Sequence, residues 1–450
     1  SSPLTPDEDL HESDLNLDSK NLRQPRSDES SRTGAIRKQV DRVIAVVLGS
    51  AAYDGIKSYF PGSSRQATQP CEESESGYVS SSDDTDTLIL ILEGKRLRPI
   101  DRQIGNSGLF EQFIDWVAPE VNQVAPHHGE PLLVQTTLDL RLQRTAIDTI
   151  QPLLPSRAEG VLTTIDRSGA VHAMVGGIGT SAGHGLAIDA LREAGSAWRV
   201  FVCAEAFTSG IAAGWNFMDG PVRVDGWDVP QTRYAGLINL RTAFAYSKNS
   251  VFVGLGVAGG YDRAKGFSRI EKIARHFGIS TPISTHPSMP LGTSKVRIIE
   301  MARAFAILSA HGKWIDPFGV TKMTTLDGTV VYERKAQPDR VVISADIVRD
   351  MTDILQSAAV SGSAKPAMLD RPMAGLAGTS LSSADGWFLG FSSGLTTCVW
   401  MGNPDGDAVS LSEGRIPAQA FGTYMRFATG SLPREKFETL LKLPDLTFGL

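Results

Sequence analysis

A serine and an arginine, Ser196 and Arg199, stand at the head of an apolar run, residues 200–208, that ends before Gly210. The run predicts a buried helix with a glycine stop. At this spacing the two side chains lie on one helical face, as when a serine attacks a carbonyl and a nearby base takes its proton. Arginine stays protonated, so Arg199 can hold an anion but cannot accept that proton. The alternative interpretation is that Ser196 only caps the helix.

Two further polar clusters follow in the chain. Ser247-Lys248-Asn249 lies inside a mostly apolar segment, and Leu376-Ala377-Gly378-Thr379 follows near the C-terminus. With Ser196, they follow the order S-x-x-K, S-x-N and K-T-G, but two of the expected lysines are missing. The order indicates a serine acyl-transfer site more strongly than any of the short patterns alone.

Longer segments carry the same order over roughly 300 residues: 136–143, 169–177, 191–199, 290–294, 374–379, 385–390 and 399–403. On these segments the chain resembles the class A penicillin-binding proteins, the bifunctional peptidoglycan synthases. The resemblance implies an α+β fold of the penicillin-binding protein/β-lactamase-like transpeptidase type. In that fold an antiparallel sheet is covered by helices, and a small, mostly helical N-terminal remnant is expected in addition.

The resemblance also implies roles for the catalytic positions. Ser196 matches the nucleophile that attacks the penultimate D-Ala carbonyl of a stem peptide, and Arg199 stands where the lysine base is expected. Ser247 matches the serine that relays a proton. Asn249 matches the residue that binds the substrate backbone.

Four positions match the substrate-binding part of the family site: Trp198, Leu376, Gly378 and Thr379. The backbone N–H groups of Ser196 and Thr379 match the oxyanion hole. Such donors depend on backbone position, so they can survive changes in side chains.

The departures from the family motifs decide the expected function. Arg199 replaces the lysine base, Leu376 replaces the second lysine, and Ala377 replaces the threonine beside it. Loss of a general base alone costs about 10²–10⁴ in rate. We therefore expect an impaired enzyme that acts as a stem-peptide-binding or scaffold protein of cell-wall biosynthesis. The alternative is an active serine D,D-transpeptidase or carboxypeptidase that acylates on Ser196 with a substitute base, so enzyme activity stays undecided at this stage.

A substitute base would have to be one of a few histidines. His127, His128, His172 and His184 are the candidates, and His184, in the glycine-rich stretch ahead of Ser196, is the one that merits a test. His172 alternates with apolar residues and is expected to be a half-exposed strand residue.

Composition narrows the partners. The chain of 450 residues has a net charge of −6 and no basic tract, which argues against nucleic acid. Its three cysteines lack metal-ligand spacing and cannot form a disulfide framework, and Cys203 reads as a small buried hydrophobe. We expect no metal and no cofactor. The expected partners are a stem peptide or β-lactam, bound covalently or only non-covalently, and other cell-wall synthesis proteins.

The N-terminal third divides by composition. Residues 1–33 are polar and predict a disordered tail, and residues 71–130 predict an acidic linker and connector. Between them, residues 34–70 resemble the C-terminal part of a lysozyme-like glycosyltransferase domain without its catalytic half, so no glycosyl transfer is expected. Residues 131–430 form the expected transpeptidase-like domain, and residues 431–450 a tail.

No apolar run is long enough to span a bilayer, because such a helix needs about 20 residues. Members of the family are anchored by one N-terminal transmembrane helix, and that anchor is not among these residues. The resemblance implies a location at the periplasmic face of the cell envelope.

Hydrophobic patterns predict the elements around the motifs. A strand over residues 132–139 runs into a helix over 140–150, and a hairpin joins 161–165 to 170–175. Helices are expected over 298–311, 345–360 and 416–427, and three short strands over 373–379, 387–391 and 396–400.

Overall fold

The computed structural model describes residues 87–93, 96–99, 110–125, 129–178, 185–231, 233–257, 263–411 and 414–437. The predicted tail and glycosyltransferase remnant, residues 1–70, lie outside this part of the chain.

Two antiparallel sheets carry most of the strands. One contains β1 (Thr87–Glu93), β2 (Arg96–Pro99), β3 (Leu132–Asp139), β12 (Val320–Thr325) and β13 (Val330–Glu333), in the order β13-β12-β3-β1-β2. The other contains β4 (Glu159–Asp166), β5 (Val171–Ile178), β14 (Ala374–Thr379), β15 (Asp385–Ser392) and β16 (Leu395–Gly402), in the order β14-β15-β16-β4-β5.

Three two-stranded ribbons complete the described strands. They pair β6 (Leu191–Glu193) with β11 (Lys295–Arg297), β7 (Asn216–Asp219) with β10 (Gly236–Asn239), and β8 (Arg223–Val224) with β9 (Trp227–Asp228).

The described α-helices are α1 (Glu111–Val124), α2 (Leu140–Ile150), α3 (Arg199–Thr208), α4 (Leu240–Ala245), α5 (Asn249–Val257), α6 (Arg263–His276), α7 (Ile298–Ser309), α8 (Ala345–Ala359) and α9 (Arg415–Ala428). None of the helices in the described ranges is long and apolar enough to cross a membrane.

Helices cover both faces of the β14-to-β5 sheet. Along β15 the side chains alternate: Trp387 and Leu389 belong to the core shared with α3, α7 and α8, while Phe388 belongs to the core shared with α2 and α9. Because successive strand residues point to opposite faces, one strand can supply two cores. Packing on both faces explains why β14, β15 and β16 are almost wholly buried.

Local signals explain the ends of several elements. Asp139 caps α2 by accepting hydrogen bonds from the backbone N–H groups of Arg141 and Leu142 at 2.8 and 2.9 Å. The end of α3 has Gly210 at φ +87°, a conformation that glycine adopts without strain. The predicted strand at 132–139, the helices, the hairpin and the three C-terminal strands are therefore confirmed, with shifts of a few residues at their ends.

The sheet that contains β1 and β3 was not predicted from the sequence. Residues 71–130 were predicted as linker and connector, yet β1 within them pairs with β3, so a continuous sheet crosses the predicted boundary at residue 130. Thr136 Oγ1 also donates a buried 2.6 Å hydrogen bond to the Leu88 carbonyl.

Candidate active site

The predicted nucleophile lies on a 3₁₀ turn, Gly195–Trp198, between β6 and α3. Two backbone hydrogen bonds and one from a side chain fix this turn. Gly195 N donates to Gly292 O at 3.0 Å, Ala197 N donates to Ala194 O at 3.1 Å, and Trp387 Nε1 donates to Glu193 O at 2.9 Å. Ser196 is half-buried, and its hydroxyl makes no hydrogen bond to any residue in the described ranges.

Glycines let the turn approach its neighbours closely. A Cβ added to Gly195 would lie 2.3 Å from the Thr379 carbonyl oxygen, and one added to Gly292 would lie 2.1 Å from the Gly195 carbonyl oxygen. A Cβ on Gly378 would lie 2.8 Å from Ala197 N. Three backbone segments therefore meet at the turn with no side chain between them.

In the described sheet β14 is an edge strand, and its Thr379 lies beside the turn. Ser380 N donates to Asp385 O at 2.9 Å, and in an antiparallel ladder alternate residues face the partner strand. The N–H of Thr379 therefore points away from β15, along the free edge of the sheet where Gly195 packs. This is the geometry expected of one oxyanion-hole donor.

Arg199 begins α3 and is 1% exposed. Its Nη2 donates to Asn249 Oδ1 at 2.5 Å, and its guanidinium lies 4.7 Å from the centroid of the Phe252 ring. Within the described chain, Nε and Nη1 have no hydrogen-bond partner. Burial lowers the pKa of Arg199 to about 9, because desolvation disfavours the charged form.

Asn249 begins α5 with both ends of its amide engaged. Oδ1 accepts from Arg199, and Nδ2 donates to the Pro230 carbonyl at 2.5 Å. The preceding Ser247 is exposed and has φ +55°, so the chain turns sharply before the helix. The hydrogen bond from Arg199 thus brings Asn249, at the start of α5, to the start of α3.

A buried carboxylate, Asp219 at the end of β7, anchors this loop. It accepts from Ser250 Oγ at 2.6 Å, Gln231 Nε2 at 2.5 Å and Ala235 N at 2.7 Å, and it lies 3.3 Å from Lys248 Nζ. Burial opposes ionisation of Asp219, but these hydrogen bonds outweigh it and lower its pKa. Lys248, the lysine between Ser247 and Asn249, is therefore held as an ion-pair partner.

Two predicted substrate-binding side chains do not face a groove. Trp198 is fully buried with its ring 4.8 Å from that of Phe201, and Leu376 is 3% exposed in the same core. The Trp198 side chain packs at the base of the turn, and the substrate-binding role of this residue stays a prediction. Gly378 and Thr379 remain at the edge of β14 beside Gly195.

Of the four candidate substitute bases, His172 is the one in the part of the chain that the structure describes. His127, His128 and His184 lie outside the described residues. His172 is on β5, where its Nε2 lies 2.9 Å from Asp166 Oδ2 at the hairpin. Burial raises the pKa of Asp166, but hydrogen bonds from His172 and Ser168 and the charge of His172 lower it overall.

Two carboxylates near the turn were missed from the sequence. Burial raises the pKa of Glu193, as does the charge of Asp385, and burial also raises the pKa of Asp385. Asp385 accepts a hydrogen bond from Trp400 Nε1 at 3.0 Å.

No cluster of three histidine, cysteine or acidic side chains suited to a metal occurs in the ranges that the structure describes. Cys203, predicted as a small buried hydrophobe, is fully buried, and burial raises its pKa.

Residues 165–394 match the penicillin binding protein transpeptidase domain. Penicillin-binding protein 1A of Aquifex aeolicus is 28% identical over 295 residues, covering 62% of this chain and 39% of that protein. Penicillin-binding protein 2D of Bacillus subtilis is 29% identical over 329 residues, covering 68% and 46%. The chain thus spans less than half the length of these curated relatives.

Solved structures share the fold. The structure of PonA1 from Mycobacterium tuberculosis matches with a TM-score of 0.66 and 24% identity, covering 74% of this chain and 94% of that one. PonA1 in complex with penicillin V matches with a TM-score of 0.65 and the same identity, covering 74% and 95%.

Proposed function

The chain belongs to the penicillin-binding protein transpeptidase family, and we propose that it is a member whose acyl transfer is lost or severely reduced. In this proposal it contributes to peptidoglycan biosynthesis at the periplasmic face of the cell envelope, by binding a stem peptide or as a scaffold for other synthesis proteins. Its relatives are penicillin-binding proteins, and PonA1 has been seen with penicillin V, which supports a groove for β-lactams or stem peptides.

One observation carries the proposal: Arg199 occupies the position of the base and donates to Asn249. A general base needs a free lone pair within hydrogen-bond reach of the proton that it removes. A guanidinium has five donors and no acceptor, so it cannot take the proton of Ser196. With a pKa of about 9, Arg199 is neutral in only roughly one molecule in 100 at pH 7.

The same bond also affects substrate recognition. Asn249 would have to break its bond to Arg199 or to Pro230 before its amide could bind a substrate backbone. Breaking a charge-assisted hydrogen bond costs about 1.5–3 kcal/mol. Lys248 does not replace the base, because its ammonium is paired with Asp219 and donates to Arg233 O at 3.0 Å.

Binding can persist where chemistry has failed. The N–H of Thr379 lies on the free edge of β14, and an extended peptide can add to such an edge through main-chain hydrogen bonds. This edge does not depend on either missing lysine.

Labelling with a fluorescent penicillin, followed by intact-mass measurement, tests the loss of acyl transfer. We expect no stoichiometric adduct after hours at high penicillin concentration. A mass increase within minutes that disappears in Ser196→Ala would overturn the proposal. It would favour the second candidate function, an active D,D-transpeptidase or carboxypeptidase that uses a substitute base such as His184.

Peptide binding is tested separately by calorimetry with an acetylated stem pentapeptide that ends in D-Ala-D-Ala. Saturable binding is expected, and Thr379→Pro, which removes the edge N–H, should weaken it about tenfold. Thr379→Ala keeps that N–H and serves as the matched control. Binding that is absent, or equal in both variants, would reject the edge of β14 as the binding surface.

A further inference from the structure

A cavity lies away from the Ser196 turn. It has a volume of about 260 Å³ and opens between the C-terminal end of α7, the first turns of α8 and the segment around residues 435–437. Both apolar and cationic side chains line it. The residues that line it include Leu308, Val348, Phe391, Phe437, Arg167 and Arg349.

The charges of the cavity do not balance. Arg167, Arg349 and Lys436 contribute three cations, while Glu435 contributes one carboxylate. Arg167 is satisfied internally: it donates to Glu435 Oε1 and to the Ser309 carbonyl, both at 2.6 Å. Arg349 pairs through Nη2 with Asp346, a residue on the solvent side of α8, at 3.0 Å. With the Asp346 carboxylate counted and histidine taken as neutral, a net charge of about +1 remains around the cavity.

Two buried polar atoms on the cavity wall lack a partner. Ser309 is 2% exposed and its Oγ makes no hydrogen bond with the described residues, and the same holds for the buried Nε of Arg349. Buried donors without partners are rare in native structures, since each costs about 1–3 kcal/mol. An acceptor-rich ligand would satisfy both.

The apolar side chains that line the cavity indicate that its ligand also carries an apolar group. Phe391 and Phe437 pack edge to face at 5.6 Å between ring centroids, and Val348 and Leu308 extend this surface. Drug-sized ligands fill pockets of about 300–1,000 Å³, so this cavity fits a smaller body of about one ring.

We propose that this cavity binds a small phosphate monoester with an apolar group. The phosphate accepts hydrogen bonds from Arg349 Nε and Ser309 Oγ and lies among the cationic side chains. Guanidinium groups match phosphate geometry and bind its oxygens through charge-assisted hydrogen bonds. The apolar group lies against Phe391, Phe437 and Val348.

Calorimetry with phenyl phosphate on the full chain, at low and at high salt, tests the proposal. Phenyl phosphate should bind with one-to-one stoichiometry, at least about tenfold more tightly than benzyl alcohol, which has a similar ring and no charge. Its affinity should fall as ionic strength rises. Arg349→Gln and Ser309→Ala should each weaken binding, the former by about tenfold or more.

Two further variants separate a binding effect from a folding effect. Arg340→Gln removes an exposed cation that stacks on Trp314 outside the cavity, and its affinity should equal that of the unaltered chain. Lys436→Gln changes an exposed side chain near the end of the described residues and should weaken binding about three- to fivefold without affecting the melting temperature. Absence of saturable phenyl phosphate binding, or an unchanged affinity in both Arg349→Gln and Lys436→Gln, overturns the proposal.

Discussion

The guanidinium of Arg199 and the amide of Asn249, 50 residues apart in the chain, are joined by a 2.5 Å hydrogen bond. The bond links the first residue of α3 to the first residue of α5. In this way one substitution at the position of the base engages a second residue of the predicted site as well. Four predictions follow from this bond and from the backbone contacts around it.

Restoring the two missing lysines should restore slow acylation of Ser196. Arg199→Lys alone gives a possible base and frees Asn249, but it supplies no second cation to lower the pKa of that base. Leu376→Lys alone leaves the buried guanidinium in place. We expect a penicilloyl adduct by intact mass only in the double variant, with better rates after Ala377→Thr, because residues of one catalytic unit are strongly non-additive.

The control for this series is Ser196→Ala in each background, which should abolish every adduct. A folded triple variant that forms no adduct would mean that the groove, and not only two side chains, has been lost. The stem-peptide part of the proposed function would then fail as well.

Arg199→Met should stabilise the protein at neutral pH. A buried cation without a carboxylate partner in the described chain is costly, and replacing buried charges with apolar side chains often raises the free energy of unfolding by about 1–4 kcal/mol. Because the folded-state pKa of Arg199 is lowered to about 9, its cost is fully present below that pH and decreases gradually as pH rises from there towards the ordinary pKa of arginine. Urea unfolding at pH 7 and pH 9.5 should therefore show a smaller gain at the higher pH. A variant less stable than the parent at pH 7 would contradict this.

Asp219→Asn should loosen the loop that carries Ser247 and Asn249. The carboxylate accepts three hydrogen bonds and pairs with Lys248, so its loss should cost about 3 kcal/mol of unfolding free energy. Because the pKa of Asp219 is lowered, this contribution is present above about pH 4 and is lost as pH falls towards its folded-state pKa. Chemical denaturation across this pH range measures the effect. Asp228→Asn, on an exposed pair with Arg223, is the control and should change stability little.

Gly292→Ala should destabilise the protein by at least about 3 kcal/mol. Its φ is +78° and the new methyl group would lie 2.1 Å from the Gly195 carbonyl oxygen. Gly328→Ala is the matched control, since its φ is +91° and the new methyl group would meet no atom within 4 Å. That variant should cost only about 1 kcal/mol, the strain of a left-handed residue. Equal melting temperatures for the two variants would contradict the close approach at the turn.

The sequence predicted individual helices and strands because each of them depends on the pattern of its own neighbouring residues. The apolar run after Arg199 predicted α3, and the alternation before Asp139 predicted β3. Contacts between segments far apart in the chain could not be predicted from the sequence. The pairing of β1 with β3 and the hold of Asp219 on Lys248 depend on how separate elements meet. A tryptophan next to a motif fits a groove or a core equally well, so the burial of Trp198 had no sequence signal.

The meeting of Gly195, Gly292 and Thr379 has one more consequence. The turn that carries Ser196 is held mainly by main-chain contacts, with one side-chain hydrogen bond from Trp387 Nε1 to Glu193 O. Reactivity and framework are therefore encoded in different residues of this protein. The side chains at positions 199, 376 and 377 can be exchanged, in evolution or by design, while Ser196 keeps its position. On the proposed function, a handful of substitutions would then separate this chain from a reactive one, without any rebuilding of the backbone.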